Sequence, residues 1–190
     1  TDLVNGMVGS AVTGGIFGNI YNGTALNCKA SVKFTALGSY AGTVSGHAHG
    51  GKFINCVGSG NVSANDFAGG IVGKASNQQA PGCIYKCRSY CDITITNRYA
   101  GGIAGGYSQI PVHDCYAECT LSGGTTGLYI GGIIGLADTP PEFEGDFSIR
   151  RCKAKFTISG KDNCAGIWGS IYTGNKGHAA ECFVTGDITA

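Results

Sequence analysis

A short glycine-rich motif recurs six times along the chain and constrains its fold more than any other feature. The copies begin at Val12, Tyr40, Phe67, Tyr99, Tyr129 and Cys164 and read VTGGIFG, YAGTVSG, FAGGIVG, YAGGIAG, YIGGIIG and CAGIWGS. Their starts are 28, 27, 32, 30 and 35 residues apart. Repeats of this length are typical of arrays in which each repeat packs on its neighbours. We therefore predict one repeat domain over residues 1–190.

A second motif follows each glycine motif and carries a cysteine at an equivalent position. This cysteine column comprises Cys28, Cys56, Cys87, Cys115, Cys152 and Cys182. Small or apolar residues follow at intervals of two, ending in the column Phe34, Val62, Ile93, Leu121, Ile158 and Ile188. The residues just before that column are polar: Lys33, Asn61, Asp92, Thr120, Thr157 and Asp187. Because successive side chains of a strand point to opposite faces, this period of two predicts a strand with one buried face.

These patterns predict an all-β fold, namely a right-handed parallel β-helix (β-solenoid) of about six coils with inward cysteine and glycine ladders. No segment shows a sustained helical period with caps. Glycine is costly in a strand unless another backbone approaches closely. Each glycine motif is therefore expected at a corner or narrow strand where coils stack backbone to backbone. The handedness follows from the general rule for parallel crossovers rather than from any residue here.

The composition argues against several classes of partner. Of the 190 residues, 43% are hydrophobic and 13% are charged, and the formal net charge is +1. The apolar runs are too short to span a bilayer. The 13 Lys and Arg residues are scattered, so they create no basic patch for nucleic acid or anionic lipid. We expect no nucleic-acid partner and no membrane insertion.

The ten cysteines are interpreted mainly as interior packing residues. Buried cysteine behaves as a small hydrophobe, and Cys91 and Cys119 lie four residues after a column cysteine, pointing to the same interior. Two alternatives stay open. Isolated disulfides could join neighbouring coils or involve Cys83, and Cys83, Cys87 and Cys91 could form a zinc cluster. We predict no cofactor and no metal site.

The four histidines do not form a recognisable metal-binding pattern. His47 and His49 would project to one side of a strand, but no carboxylate or third ligand lies nearby in sequence, so a solvated edge is the preferred interpretation. His113 and His178 precede column cysteines and by themselves indicate no site.

The GGI-x-G element, repeated every 27 to 35 residues, resembles the GLUG motif of bacterial secreted and cell-surface proteins. That family includes repeat regions attached to IgA-cleaving metallopeptidases. The resemblance implies an extracellular or cell-surface location and an adhesin-like or accessory role, and it carries no catalytic residue. The HExxH zinc signature of those peptidases is absent from this sequence. We therefore expect a non-catalytic module that acts in adhesion, in ligand binding or as a rigid spacer.

Two other functions are the alternatives. Polysaccharide-active β-helix enzymes carry clustered acids on one face, whereas the one dense acidic group here is Glu142, Glu144 and Asp146 in a single loop. Ice-binding solenoids use regular threonine arrays, which suggests the outward column Thr35, Ser63, Thr94, Ser122, Ser159 and Thr189. The charges in the neighbouring polar column interrupt that regularity.

Loop lengths predict where a ligand binds. The last glycine of each glycine motif lies 10 residues before the column cysteine in three repeats and 13 to 17 residues before it in the others. Because solenoid insertions often form the binding edge, the longer loops predict a binding site for a host glycan or protein ligand. Its residues are Asn77, Gln78, Gln79, Tyr85, Glu142, Phe143, Glu144, Tyr172, Asn175 and Lys176.

The two ends of the sequence bear on whether the chain is part of a larger protein. The chain starts without a signal peptide, and neither end carries an amphipathic helix that would cover an exposed coil. We therefore expect a segment of a larger protein, with neighbouring domains of the same polypeptide among its partners.

Overall fold

A computed structural model describes residues 4–9, 11–76, 82–108, 110–124, 129–138, 148–171 and 178–189. These residues form 25 strands and no helix. The strands, numbered in chain order, belong to four parallel sheets. We call them the long sheet and the second, third and fourth sheets.

The bounds of the strands follow the repeat. The long sheet contains β1 (Val4–Gly9), β5 (Lys29–Ala36), β9 (Val57–Ala64), β13 (Arg88–Ile95), β17 (Tyr116–Gly123), β21 (Lys153–Ser159) and β25 (Phe183–Thr189). The second sheet contains β2 (Val12–Gly14), β6 (Tyr40–Gly42), β10 (Phe67–Gly69), β14 (Tyr99–Gly101), β18 (Tyr129–Gly131) and β22 (Cys164–Ala165). The third sheet contains β3 (Phe17–Tyr21), β7 (Ser45–His49), β11 (Val72–Ser76), β15 (Ala104–Ser108), β19 (Ile134–Ala137) and β23 (Trp168–Ile171). The fourth sheet contains β4 (Thr24–Leu26), β8 (Lys52–Ile54), β12 (Cys83–Tyr85), β16 (Val112–His113), β20 (Ile149–Arg150) and β24 (Ala179–Ala180).

The chain visits the four sheets in the same order in every coil. Each strand pairs in parallel with the equivalent strands of the neighbouring coils, and the edge strands of each sheet have one such partner among the described strands. The predicted parallel β-solenoid is therefore confirmed. Three of the sheets contain six strands, which five turns of chain connect, and the long sheet contains a seventh strand. The described residues therefore form about five turns, close to the six coils that the six motif copies predicted. The right-handed sense stays a prediction.

The long sheet has the two faces that the period of two predicts. In β13, burial alternates strictly, with Ser89, Cys91, Ile93 and Ile95 buried and the residues between them exposed. Ile188 is an exception to the predicted buried column, because it is 45% exposed whereas its neighbour Ile158 is 1% exposed. Among the described residues no strand lies beyond β25, so no described strand covers the interior side chains of the last coil.

The second and third sheets approach each other so closely that facing positions require glycine. A Cβ atom on Gly101 would collide with the carbonyl oxygen of Ala104 and lie 2.7 Å from the amide nitrogen of Gly135, one coil later. A Cβ atom on Gly135 would in turn lie 2.8 Å from the amide nitrogen of Ala100. The same approach pairs Gly14 with Gly46, Gly42 with Gly73, Gly69 with Gly105, and Gly131 with Gly169. The glycine motif therefore allows a strand of one coil to lie against a strand of the next.

A small aromatic cluster covers the outside of this contact. Phe67, Tyr99 and Leu136 are buried together, with Tyr40 and Tyr129 packed against them. The rings follow one another in successive coils, with centroids 4.7 Å apart for Phe67 and Tyr99 and 5.3 Å apart for Tyr99 and Tyr129. This second core stabilises the join between the sheets from its solvent side.

The residue before each column cysteine adopts the left-handed backbone conformation. These residues are Asn27, Asn55, Lys86, Asp114, Arg151 and Glu181, with φ from 49° to 56°. Each one turns the chain from the fourth sheet into the long sheet. Asn and Asp tolerate this conformation better than other non-glycine residues. We call these six residues the corner column.

Polar side chains connect the corner column from coil to coil. The side-chain amide of Asn55 donates a 2.8 Å hydrogen bond to that of Asn27. The guanidinium of Arg151 donates two hydrogen bonds to the carboxylate of Asp114. From Lys86 onward the charges of the column alternate in sign, so each residue attracts its neighbours.

Candidate functional site

An open groove on the outward face of the long sheet is the candidate functional site. It crosses strands β13, β17, β21 and β25 and encloses about 670 Å³. Its outward side chains are Tyr90, Asp92, Glu118, Thr120, Lys155, Thr157, Thr185 and Asp187. Residues from four successive coils therefore meet in one place, although they span almost 100 positions in the sequence.

The groove lies over an irregular column of the long sheet. Between β13 and β17 the pairing stops after Ser89 and resumes at Asp92. In the same column, Gly60 and Gly186 adopt positive φ angles of 102° and 151°. A Cβ atom on Gly186 would collide with the carbonyl oxygen of Phe156, in the preceding coil. The pairing beneath the groove is therefore interrupted locally, between β13 and β17.

Glu118 is the most connected acid in the groove. Its carboxylate accepts a 2.8 Å hydrogen bond from the ammonium of Lys155 and a 2.9 Å hydrogen bond from the hydroxyl of Tyr116. Lys155, and then Tyr116, lower the pKa of Glu118 below its ordinary value. A general acid for glycoside cleavage needs a raised pKa instead. In this arrangement Glu118 is suited to accepting hydrogen bonds from a ligand.

Two regular outward columns continue across the groove. The strand register aligns Asn61, Asp92, Thr120, Thr157 and Asp187 in successive coils. Beside them it aligns the hydroxyl column Thr35, Ser63, Thr94, Ser122, Ser159 and Thr189. The alignment of both columns is as predicted. The amide of Asn61 donates a 3.3 Å hydrogen bond to the carboxylate of Asp92, so the polar column also contacts itself between coils.

The cysteine column lies on the opposite, inward side. Cys56, Cys87, Cys115 and Cys152 are buried. Their thiols contact carbonyl oxygens of the preceding coil, as Cys56 does with Ala25 at 3.3 Å. Cys28 and Cys182, in the end coils, are only half-buried, in contrast to the prediction. All ten cysteines are free thiols in this structure.

Burial makes the interior thiols of Cys91 and Cys119 poor nucleophiles. It raises the pKa of Cys91 to about 12 and also raises the pKa of Cys119. Since the thiolate is the reactive form, such residues react slowly. Among the described residues, no three His, Cys, Asp or Glu side chains come together in a way that could hold a metal ion. Cys83, Cys87 and Cys91, the alternative zinc ligands, are therefore not brought together.

His47 and His49 lie within a stack of rings on the outward face of the third sheet. Their ring centroids are 4.0 Å apart, and they stack on Tyr40 and Tyr21, respectively. Both imidazoles are half-buried rather than forming a solvated edge. Burial, followed by His49 and Lys74, lowers the pKa of His47 to about 4. His47 is therefore neutral at neutral pH.

The predicted loop site is largely outside the described residues. Tyr85 is the one described member, and it is half-buried with the ammonium of Lys86 4.9 Å from its ring centroid. The other nine lie outside the described residues: Asn77, Gln78, Gln79, Glu142, Phe143, Glu144, Tyr172, Asn175 and Lys176. All nine fall in sequence between a strand of the third sheet and a strand of the fourth. The loop site stays a prediction.

The groove was missed in the sequence. Asp92, Glu118 and Asp187 are isolated from other acids along the chain, whereas the sequence analysis considered only the dense acidic group at residues 142–146. The available signal was their place on the polar face of the predicted strand, where Asp92 and Asp187 are equivalent in the repeat and Glu118 lies two residues before that position.

Comparison with known proteins gives no relative from which a function can be transferred. The chain matches no family model, and no curated protein or solved structure matches it. In the described part of the chain, no helix has the length and apolar character needed to cross a membrane.

Proposed function

We propose that this chain is a non-catalytic extracellular repeat module of a bacterial surface or secreted protein, and that it binds carbohydrate. The groove on the outward face of the long sheet is the observation that carries the proposal. It combines the partly exposed ring of Tyr90 with hydroxyl, carboxylate and ammonium groups. A sugar offers both hydroxyl groups and an apolar face, so it is complementary to this mixture.

The scaffold supports recognition of an extended ligand. The groove residues are on paired strands rather than on loops, so their spacing is set by the backbone register. Equivalent side chains recur about every 4.8 Å along the solenoid. A polymer lying along the axis can therefore repeat similar contacts in successive coils.

The resemblance to the GLUG motif supports the extracellular location. Six of the ten free cysteines are buried, which shields their thiols from extracellular oxidants, whereas Cys28, Cys83, Cys164 and Cys182 are half-buried. The pKa shifts in the groove support binding rather than cleavage, since Lys155 and Tyr116 keep Glu118 ionised. A rigid spacer that binds nothing is the other form of non-catalytic module.

A glycan array probed with the purified chain, together with a host-protein pull-down, tests the proposal. We expect selective retention of a set of glycans. Retention of a protein but no glycan would contradict the carbohydrate ligand, and retention of neither would favour the spacer role.

A chain-cleavage assay on each retained polysaccharide separates binding from catalysis. We expect no new reducing ends and no shortening of the polymer. Depolymerisation that is lost in a Glu118→Gln variant would show instead that the groove is an active site. Thermal hysteresis of the purified protein would favour the ice-binding alternative.

A further inference from the structure

In the long sheet, the first outward residue of each strand from β5 to β25 belongs to a column that alternates between cationic and apolar side chains. The register pairs these residues in successive coils as Lys29, Val57, Arg88, Tyr116, Lys153 and Phe183. A cation therefore occurs in every second coil, with an aliphatic or aromatic side chain between each pair. We call this set the alternating column.

The cations of the column are available to a ligand. Lys29, Arg88 and Lys153 are exposed, and none of them forms an ion pair with a described residue. Glu118, an acid of the same face, is already paired with Lys155. The column therefore presents uncompensated positive charge, even though the net charge of the whole chain is only +1.

The spacing of the column restricts the chemistry of its partner. Adjacent strands are about 4.8 Å apart, so successive cations are separated by roughly 9.6 Å. This separation is comparable to the length of a disaccharide. A polymer with one carboxylate on every second sugar would place an anion near each cation. The intervening sugar would then lie over Val57 or Tyr116. A sugar beyond Lys153 would lie over Phe183, which is 63% exposed.

We propose that the ligand is an acidic polysaccharide in which uronate and uncharged sugars alternate, and that it lies along the alternating column. This proposal rests on the proposed carbohydrate-binding function and specifies its ligand class. The column lies beside the groove, because Tyr90 and Lys155 follow Arg88 and Lys153 by two residues on the same strands. The same polymer therefore reaches groove and column together.

Titration calorimetry with defined oligosaccharides tests the ligand class. Hyaluronan and unsulfated chondroitin have a uronate on every second sugar, polygalacturonate has one on every sugar, and dextran has none. We expect the two alternating polymers to bind more tightly than polygalacturonate and dextran to bind most weakly. Added salt should weaken binding of the alternating polymers because the contacts are exposed charges.

A pair of charge-matched variants tests the position. The double variant Arg88→Gln/Lys153→Gln should bind hyaluronan about tenfold more weakly, as expected for two exposed charge contacts. The control Lys52→Gln/Lys161→Gln removes the same charge at exposed positions away from the column and should bind like the parent. All four residues are exposed, and circular dichroism and thermal unfolding check that both variants fold.

The outcomes separate this inference from the proposed function. If neither alternating polymer binds but other glycans do, the inference is wrong and carbohydrate binding stands. Equal affinity for polygalacturonate, or an equal loss in both double variants, would also overturn it, because the spacing or the position would not matter. If no glycan of any class binds, both proposals fail.

Discussion

Arg151 and Asp114 occupy equivalent left-handed corners in consecutive coils, and the guanidinium of Arg151 binds the carboxylate of Asp114. Nε and Nη2 of Arg151 donate hydrogen bonds of 2.7 and 2.9 Å to the two carboxylate oxygens of Asp114. The residues are 37 positions apart in sequence. The pair therefore connects two consecutive coils at the corners where they enter the long sheet. That sheet carries the proposed binding surface.

The corner conformation predicts the effect of substitutions at Lys86, whose φ is 54°. Asn tolerates the left-handed region, whereas a β-branched side chain is strained there. We expect Lys86→Val to be less stable than Lys86→Asn by about 1 kcal/mol. Urea unfolding followed by circular dichroism measures the difference. Both variants lose the contact with Tyr85, so equal stabilities would mean that the corner backbone is not left-handed.

The contact between the second and third sheets predicts a large loss of stability in Gly101→Ala. The new methyl group would collide with backbone atoms of Ala104 and Gly135, which cannot move without shifting two coils. We expect a loss of several kcal/mol, in the range of severe backbone or packing defects. Gly18→Ala is the matched control, because nothing lies within 4 Å of a Cβ atom there. Similar thermal unfolding of both variants would be incompatible with the close approach of the sheets.

The burial of the central thiols predicts their order of alkylation. Cys56, Cys115 and Cys152 are buried, whereas Cys28 and Cys182 are half-buried in the end coils. With iodoacetamide under native conditions, we expect slow labelling of the first three and faster labelling of the other two. In denaturant all five should react alike. Peptide mass spectrometry after timed quenching gives the rates, and rapid native labelling of Cys115 would exclude an interior position.

The lowered pKa of His47 predicts that stability falls with acidification. Its pKa drops from 6.5 to about 4 on folding, so the unfolded chain binds a proton more readily than the folded one. The contribution of neutral His47 to the free energy of unfolding is complete above pH 6.5 and is lost progressively as the pH falls toward 4. We expect the melting temperature to decrease less between pH 7 and pH 5 in His47→Gln than in the parent. His178→Gln, at an exposed position, should retain the parental decrease, and a parental decrease in both variants would argue against His47.

The fold was predictable because the repeat displays its period directly. Alternation after each cysteine predicted the buried positions of Leu121 and Ile158, since a strand has only two faces. The prediction was wrong for Ile188, because burial in a solenoid depends on the next coil as well as on the pattern. The left-handed corners were not predicted, since Lys86 and Arg151 are not residues that normally indicate this backbone conformation.

The candidate site was less predictable because it depends on register between coils. Tyr90, Glu118 and Lys155 meet only when strands about 30 residues apart are aligned. Small differences in repeat length obscure this alignment in the sequence, although the cysteine column provides a reference for it. The alternating column became visible for the same reason only when the strand pairs were known.

The central claim is that the outward face of the long sheet binds carbohydrate, and a glycan array on two bulky variants tests it most directly. Thr157 is exposed in the groove, whereas Thr24 is exposed on the fourth sheet. We expect Thr157→Trp to lose the glycan signals of the parent, because the indole fills the groove, and Thr24→Trp to retain them. Undiminished glycan binding by a folded Thr157→Trp variant would contradict the account.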